Sequence, residues 1–319
     1  MIKPQLSPNP SSPQDRFYLG LDGGQSHTTI LIGNEEGTVL GTGLSGPTNY
    51  GGSDNTLKKT ETSIKDALSQ ALEGAQLERT TDFTAACCGI SGDTEKVHEI
   101  ISRCINAEHL KIVTDAQIAL WGAGELSPGI VVIAGTGSIA WGENGAHQTA
   151  RAGGWGYAFG DEGGAFDIAR QAMRSALKTE EGWGPKTSLR KALLKDANSS
   201  TVNDLLHRLY AEQLPRDAIA SFALLVDRLA KTGDTVAKRI LASAGLSLAH
   251  LAQGVRQQLF TPDETVSIYY SGGVFSSTFV LDAFHAQVAT ICDKPNRILM
   301  PRRSPAHGAL LQACRVTEL

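Results

Sequence analysis

Two glycine-rich turns decide the fold of this chain, and each lies between two β-prone segments. The first stretch reads LGLDGGQSHTT at residues 19–29, and the second reads VVIAGTGSIA at residues 131–140. We name residues 22–28 the first glycine turn and residues 135–138 the second glycine turn. Turns built from Gly, Ser and Thr bring backbone N–H groups close to an anion, because glycine has no Cβ to block the approach. Two such turns on separate hairpins predict a nucleotide clamp that holds a polyphosphate.

The segments around these turns indicate an α/β protein whose pattern occurs twice. Predicted strands at residues 17–21, 28–33 and 38–43 precede alternating helices and strands, which is typical of a mixed sheet covered by helices. The strand–turn–strand order restarts at Ile130, at an interval close to the size of a small domain, which is consistent with an ancient duplication. Further helices are predicted at residues 55–72, 97–105, 162–177, 202–210, 219–231, 235–258 and 279–291, and further strands at residues 83–90, 110–114, 130–134, 139–142 and 266–270.

Composition excludes several classes of protein. The net charge of −4 and the lack of a basic stripe argue against a nucleic-acid partner. No run approaches the roughly 20 apolar residues of a membrane span. The five cysteines have no metal-ligand spacing and predict reduced thiols in the cytoplasm. Residues 1–16 are predicted to be a disordered tail, and a homodimer remains an open alternative to a monomer.

Two aspartates are the candidates for chemistry on the first half of the chain. Asp115 follows the strand predicted at residues 110–114, and ligands of α/β sheets gather at the carboxyl ends of strands. A carboxylate there could accept the proton of a substrate hydroxyl that attacks phosphorus, or it could cap a helix beginning at Ala116. Asp22 could bind Mg²⁺ through a bridging water, or its carboxylate could accept hydrogen bonds from the backbone of its own turn.

The most distinctive local string is GGWGYAFGDEGG at residues 153–164, which we name the sugar segment. Its glycines allow close approach of a ligand, and Asp161 with Glu162 offers acceptors for sugar hydroxyls at the start of a predicted helix. The alternative is a flexible loop whose acids complement the helix dipole. The density of glycines favours a binding function. The eight histidines show no metal-ligand spacing and are predicted to be structural or on the surface.

On these motifs the chain resembles the N-acetylglucosamine kinase family of the actin/hexokinase/Hsp70-like ATPase superfamily, in the subgroup shared with benzoyl-CoA reductase activator ATPases. Residues 21–28 resemble the first phosphate motif, with Gln25 where the family usually has glycine. Residues 134–138 resemble the second phosphate motif, and residues 271–274 resemble the adenosine motif. The sugar segment is similar to the sugar-kinase signature. Residues 301–305 and 308–310 resemble the closing segment that returns to the first domain.

The resemblance implies an α/β fold of two ribonuclease H-like (actin-like ATPase) domains with an interdomain cleft. Residues 17–118 with 303–319 would form the N-terminal domain, and residues 119–302 the C-terminal domain.

The resemblance also implies a role for each site residue. Asp115 is the expected catalytic base for the sugar 6-hydroxyl. The expected sugar-binding residues are Asn49, Ser91, Asp93, Asp115, Gly154, Trp155 and Asp161. The expected ATP-binding residues are Asp22, Gly23, Gly24, Gln25, Ser26, Thr28, Gly135, Thr136, Gly137, Ser138, Gly272 and Gly273. Asp22 would bind Mg²⁺ through water.

The implied function is an ATP-dependent, Mg²⁺-requiring amino-sugar kinase that phosphorylates the 6-hydroxyl of N-acetylglucosamine. N-acetylmuramic acid, glucosamine and N-acetylmannosamine are alternative acceptors. An alternative from another class is an ATPase activator of a dehydratase or reductase, which bridges an iron–sulfur cluster with paired cysteines. The absence of cysteine between Cys104 and Cys292 argues against an activator. A sugar sensor without catalysis is a third alternative, which the presence of Asp115 disfavours.

Overall fold

A computed structural model describes residues 16–24, 27–48, 54–90, 95–211, 215–291 and 296–315. The chain divides into two compact units. The first unit comprises the chain up to Ile118 and from Pro305 onward, and the second is Ala119–Ser304. Among the described residues, no helix has both the length and the apolar character needed to cross a membrane.

The first unit is built on a five-stranded mixed sheet. Its strands are β1 (Tyr18–Gly23), β2 (Thr28–Gly33), β3 (Val39–Ser45), β4 (Phe83–Ile90) and β5 (Ala107–Thr114). The strand order is β3-β2-β1-β4-β5, with antiparallel pairs in the opening meander and parallel pairs from β1 through β4 to β5. Its helices are α1 (Asp54–Gly74), α2 (Glu95–Cys104), the start of α3 (Asp115–Gly124) and α10 (Pro305–Arg315).

Backbone contact fixes α1 on the sheet of the first unit. A Cβ on Gly43 would lie 1.8 Å from the Ala67 carbonyl oxygen, and a Cβ on Gly41 would lie 2.0 Å from the Ala71 carbonyl oxygen. The helix therefore lies directly on the main chain of β3. Beneath it, Leu19 and other inward-facing residues of the strands form a buried apolar core, and burial of such side chains is the main stabilising term.

The second unit repeats the sheet of the first. Its strands are β6 (Gly129–Ala134), β7 (Ser138–Glu143), β8 (Thr149–Gly153), β9 (Ser267–Ser271) and β10 (Arg297–Leu299). The order is β10-β9-β6-β7-β8, again with an antiparallel meander and parallel pairs from β6 through β9 to β10. Its helices are α4 (Ala165–Glu180), α5 (Leu189–Asp196), α6 (Val202–Tyr210), α7 (Arg216–Lys231), α8 (Thr235–Leu259) and α9 (Thr278–Val288), with a 3₁₀ turn at Gly273–Ser276.

The predicted α/β class and the restart of the pattern are confirmed, because both units carry the same strand order and the same strand directions. Three helices were predicted with a boundary that was wrong by three residues. The helix predicted to begin at Ile219 begins at Arg216, and the helix predicted to end at Ile291 ends at Val288. The helix predicted to begin at Glu162 begins at Ala165. Asp161 and Gly163 have φ angles of +62° and +80°, and the right-handed helix excludes such values.

Candidate functional site

The first glycine turn is anchored by the segment that follows β3. The Gly24 N–H donates to the His27 carbonyl at 3.0 Å, and the Thr48 N–H donates to the Gly24 carbonyl at 3.0 Å. The Thr48 hydroxyl donates to the same carbonyl at 3.2 Å. A Cβ on Gly23 would lie 2.9 Å from the Thr48 hydroxyl oxygen. The close approach of Thr48 therefore explains why this position carries glycine.

Not every residue expected to contact ATP in this turn is available to a ligand. Thr28 is fully buried, and its hydroxyl donates to the Gly46 carbonyl at 2.8 Å. Its contacts are those of a structural residue that joins β2 to the end of β3. Gln25 and Ser26, expected at the same turn, lie outside the described residues, as do Asn49, Ser91 and Asp93, expected at the sugar.

A pair of carboxylates lies at the carboxyl edge of the first sheet. Asp22 is near the end of β1, and Asp115 directly follows β5. Burial, and to a smaller extent the nearby charge of Asp115, raises the pKa of Asp22 to about 7. A carboxylate that is costly to ionise where it lies favours a neighbouring cation.

Asp115 is not the residue that caps α3. The Gln117 N–H donates to the Thr114 hydroxyl at 3.3 Å, and the Thr114 N–H donates to Gln117 Oε1 at 3.2 Å. This reciprocal pair is a capping box, and its spacing Thr-x-x-Gln is legible in the sequence. The alternative interpretation of Asp115 as the cap is therefore wrong. Its own Oδ1 accepts from the adjacent Ala116 N–H at 2.8 Å.

The second glycine turn is built into the start of α4. The Ala165 N–H donates to the Gly135 carbonyl at 2.9 Å, and the Phe166 N–H donates to the Thr136 carbonyl at 3.0 Å. The turn thus supplies acceptors for amides that a helix start leaves unsatisfied. The Ser138 hydroxyl donates to the Glu162 carbonyl at 2.7 Å, which joins the turn to the sugar segment.

Asp161 lies directly against this turn. Its side chain is almost fully buried, and its Oδ1 accepts a long bond from the Ser138 N–H at 3.5 Å. A Cβ on Gly137 would lie 2.4 Å from Asp161 Oδ2, so only glycine fits opposite this carboxylate. The left-handed backbone of Asp161 costs roughly 1–2 kcal/mol for a residue with a Cβ, a cost that the surrounding contacts offset.

Arg216 is a site residue that the sequence analysis missed. Its guanidinium donates to Asp161 Oδ2 at 2.7 Å. It also lies over the rings of Tyr157 and Phe166, with 5.1 Å and 5.9 Å to the ring centroids. No local motif marks this residue, because it lies 55 positions from its carboxylate partner.

The adenosine motif and the second glycine turn lie side by side. β6 and β9 are parallel neighbours, with Ile133 opposite Ser271, so the segments that follow them meet at one edge. Gly272 has a φ of +104°, and a Cβ there would lie 2.3 Å from the Ala134 carbonyl oxygen. A Cβ on Gly135 or Gly273 would meet no described atom within 4 Å. The backbone at this edge of the second sheet is therefore open to a ligand.

The sugar segment presents an aromatic ring at the surface. Trp155 is 67% exposed, and the Arg151 guanidinium lies 4.2 Å from its ring centroid. The two glycines before it do not leave empty space. A Cβ on Gly154 would lie 2.8 Å from the Ile139 side chain, and one on Gly153 would lie 3.2 Å from the Leu251 side chain. Packing against these neighbouring side chains therefore explains why both positions carry glycine.

The residues present fit a nucleotide and a hydrated magnesium ion. The open backbone at Gly135 and Gly273 suits phosphate and adenosine, as glycine-rich turns do elsewhere. Within the described ranges no three metal-ligating side chains converge. A magnesium ion near Asp22 would then complete its shell with water and phosphate oxygens, which is its usual preference.

Comparison with known proteins identifies the family. Residues 19–313 match the sequence profile of the BadF/BadG/BcrA/BcrD ATPase family. The chain belongs to this family. This confirms the family resemblance seen in the phosphate, adenosine and sugar-kinase motifs.

Curated relatives match nearly the whole length of this chain. It is 31% identical over 306 residues to an N-acetylmuramic acid/N-acetylglucosamine kinase of Clostridium acetobutylicum, with 93% of this chain and 98% of the relative covered. It is 30% identical over 316 residues to an N-acetyl-D-glucosamine kinase of Dictyostelium discoideum, with 93% and 97% covered.

A solved structure has the same fold as this chain. A candidate N-acetylglucosamine kinase of Chromobacterium violaceum superposes with a TM-score of 0.77 at 24% identity. The superposition covers 94% of this chain and 99% of that one. At this level of identity the likeness establishes the fold alone.

Proposed function

We propose that the chain is an ATP-dependent amino-sugar kinase that transfers the γ-phosphate of ATP to the 6-hydroxyl of N-acetylglucosamine. The observation that carries the proposal is the position of Asp115, which directly follows β5 while Thr114 caps the helix in its place. The names of the two full-length relatives support the substrate class.

Asp115 is the general base in this proposal. It accepts the proton of the sugar hydroxyl as that oxygen attacks the γ-phosphorus, while the bond from phosphorus to the ADP oxygen breaks. The rigid start of α3, fixed by the capping box, holds the carboxylate in place. Magnesium, held through water by Asp22, would neutralise charge on the phosphates when bound.

Backbone groups of the two glycine turns hold the phosphates. In the second turn the carbonyls of Gly135 and Thr136 already accept bonds from α4, and this fixes the loop before a nucleotide arrives. A loop fixed in advance loses little conformational entropy when the ligand binds. Gly272 and Gly273 border the adenosine in the proposal.

The sugar segment binds the acceptor. The exposed ring of Trp155 offers an apolar face for stacking on a pyranose ring. Asp161 retains acceptor capacity beyond its bonds to Arg216 and Ser138, because an ionised carboxylate offers about four lone-pair positions. Gly154 holds the start of the segment through its N–H, which donates to the Ser138 carbonyl at 2.9 Å. Asn49, Ser91 and Asp93 remain proposed contacts from the family resemblance.

N-acetylmuramic acid is the second candidate acceptor, because the Clostridium relative is named for both sugars.

The cysteines of this chain disfavour the alternative function of an ATPase activator. Cys87 and Cys88 are buried in β4, and burial raises the pKa of the Cys87 thiol to about 12. A thiol that resists ionisation is a poor cluster ligand, since the thiolate is the form that binds iron. Reduced, buried thiols of this kind also fit the cytoplasmic location that we propose.

A substrate panel tests the proposal. The purified protein is incubated with ATP, Mg²⁺ and each of N-acetylglucosamine, N-acetylmuramic acid, glucosamine, N-acetylmannosamine and glucose, and the phosphorylated sugar is identified by mass spectrometry. We expect the highest kcat/KM with N-acetylglucosamine. ADP release without a phosphorylated sugar in any reaction would contradict the kinase function, and iron in the purified protein would favour the activator.

A further inference from the structure

Arg216 occupies a position that helix electrostatics disfavour. It is the first residue of α7, where the positive end of the helix dipole repels a cation. Its side chain leaves that end and pairs with Asp161, with 32% of the arginine side chain and 6% of the aspartate side chain exposed. The arginine lies at a helix position that disfavours a cation, and it pairs with a nearly buried carboxylate. This indicates that its function is to bind Asp161.

The arginine contacts both segments that the proposed function assigns to ligands. Its guanidinium lies 5.1 Å from the ring centroid of Tyr157, which belongs to the sugar segment. It lies 5.9 Å from the ring centroid of Phe166, whose N–H donates to the Thr136 carbonyl of the second glycine turn. Rings within about 6 Å of a cation attract it, so the guanidinium is held from two sides.

Asp161 is shared by the same two segments. It belongs to the sugar segment, yet its Oδ1 accepts from the Ser138 N–H and its carboxylate fills the space beside Gly137. Any movement of this carboxylate therefore changes the shape of the second glycine turn. Of its two oxygens, Oδ2 is bound by Arg216 at 2.7 Å, so the arginine determines where the carboxylate lies.

We propose that Arg216 is a positioning residue that couples nucleotide binding to sugar binding through Asp161. The identity of the two ligands rests on the proposed function. A nucleotide bound at the second glycine turn favours the Asp161 position that fits this turn, and a sugar then meets a carboxylate already in place. By linkage, a bound sugar improves nucleotide affinity by the same factor.

The chemistry of the side chain predicts a graded response to substitution. Arg216 uses one terminal nitrogen on Asp161, and its Nε is buried without a partner among the described residues. Lysine can supply a single donor but cannot stack on two rings as a planar guanidinium does. Methionine keeps much of the apolar stem and removes the donor.

Calorimetry with N-acetylglucosamine and a non-hydrolysable ATP analogue with Mg²⁺ tests the coupling. In the wild type we expect each ligand to tighten the other by at least about 5-fold, the lower end of typical coupling. Arg216→Met should reduce that factor to near 1, and Arg216→Lys should retain part of it. Arg228→Met is the matched control, because Arg228 lies on the same helix and its ion pair with Asp196 is exposed, at 3.5 Å. It should keep the wild-type factor.

Wild-type coupling in Arg216→Met, or no coupling in the wild type, would overturn the proposal. If Arg216→Met does not fold, Arg216→Lys and Tyr157→Leu provide the test, and each should show a reduced factor. If no amino sugar binds at all, the proposed function fails. The arginine is then tested by the affinity for the ATP analogue alone in Arg216→Met, Asp161→Asn and the double variant. Non-additive losses support positioning through Asp161, and additive losses overturn it.

Discussion

Thr114 and Gln117 cap the start of α3 reciprocally. The Thr114 hydroxyl accepts from the Gln117 N–H at 3.3 Å, and Gln117 Oε1 accepts from the Thr114 N–H at 3.2 Å. Asp115 lies between them in sequence and is left out of this exchange. The arrangement fixes the backbone of Asp115 through its two neighbours, while its own carboxylate accepts from the Ala116 N–H. The cap and the proposed chemistry at this position therefore depend on different side chains, and substitutions can separate them.

Removing the cap should lower stability without removing the base. Thr114→Ala is expected to lower the free energy of unfolding by about 0.5–2 kcal/mol, the usual loss for a threonine cap. Turnover, measured where the variant is folded, should stay within a few-fold of the wild type. Denaturant titration and steady-state rates measure the two effects. An unchanged stability would show that the bonds between Thr114 and Gln117 do not cap α3.

Stability should depend on pH through Asp22. Its folded pKa of about 7 lies above its ordinary value of 3.8, so the folded state holds the proton more tightly than the unfolded state. This contribution is fully present below about pH 4 and is lost as pH rises to about 7, at up to about 1.4 kcal/mol per pH unit. Asp22→Asn should therefore raise Tm relative to the wild type at pH 8 and lose that advantage by pH 4.

Exposed Asp66→Asn on α1 is the control for that experiment, since it removes one negative charge from the same unit. Its effect on Tm should show no comparable change between pH 4 and pH 8. A constant difference between Asp22→Asn and the wild type across this range would mean that Asp22 ionises as freely in the folded state as in the unfolded one.

Two glycines of the second turn should respond differently to alanine. At Gly137 a Cβ meets the Asp161 carboxylate at 2.4 Å, whereas at Gly135 it meets no described atom within 4 Å. Gly137→Ala should lower Tm and weaken ATP binding, because the carboxylate or the turn must move. Gly135→Ala should leave Tm within about one degree of the wild type, since a surface change with no contact has little effect on stability. Differential scanning fluorimetry and ATP titration measure both.

Gly135→Ala has a second diagnostic value. If the open side of this turn is where phosphate lies, the added methyl group should raise the Kd for ATP while Tm stays constant. Unchanged ATP affinity in a stable Gly135→Ala variant would place the phosphates elsewhere.

The acetamide should contribute to specificity. We expect N-acetylglucosamine to exceed glucose by at least about 10-fold in kcat/KM, which corresponds to about 1.4 kcal/mol of transition-state discrimination. The space beside Gly153 and Gly154 is filled by Leu251 and Ile139, so the expectation rests on the substrate class of the relatives. Competition between the two sugars in one reaction measures the ratio directly. Equal rates would remove the N-acetyl assignment and leave the kinase assignment intact.

The sequence predicted those features that local chemistry determines. Periodicity and turn residues predicted the strands around both glycine turns. The strand predicted at residues 110–114 also placed Asp115 directly after its carboxyl end, as the structure shows. The strands β8 and β10 were missed, because β8 consists mainly of small and polar residues and β10 has only three residues. Such strands are stabilised by pairing with neighbours rather than by their own composition.

Other features of the candidate site depend on contacts between distant residues. The ion pair of Arg216 with Asp161 joins positions 55 residues apart, and no spacing rule reaches that far. The glycines of the sugar segment were attributed to ligand access, yet Gly154 is required by contact with Ile139. The spacing Thr-x-x-Gln at residues 114–117 predicts the capping box, and it identifies Thr114 rather than Asp115 as the cap of α3.

The rate of phosphoryl transfer by Asp115→Asn tests the central claim most directly. Rapid-quench single turnover with saturating ATP, Mg²⁺ and N-acetylglucosamine measures the chemical step, and calorimetry measures sugar affinity in the same variant. The loss of a general base predicts a rate lower by about 10²–10⁴-fold, with a much smaller change in the Kd for the sugar. A rate within a few-fold of the wild type, in a folded variant that binds both ligands, would contradict the assignment of Asp115 as the base.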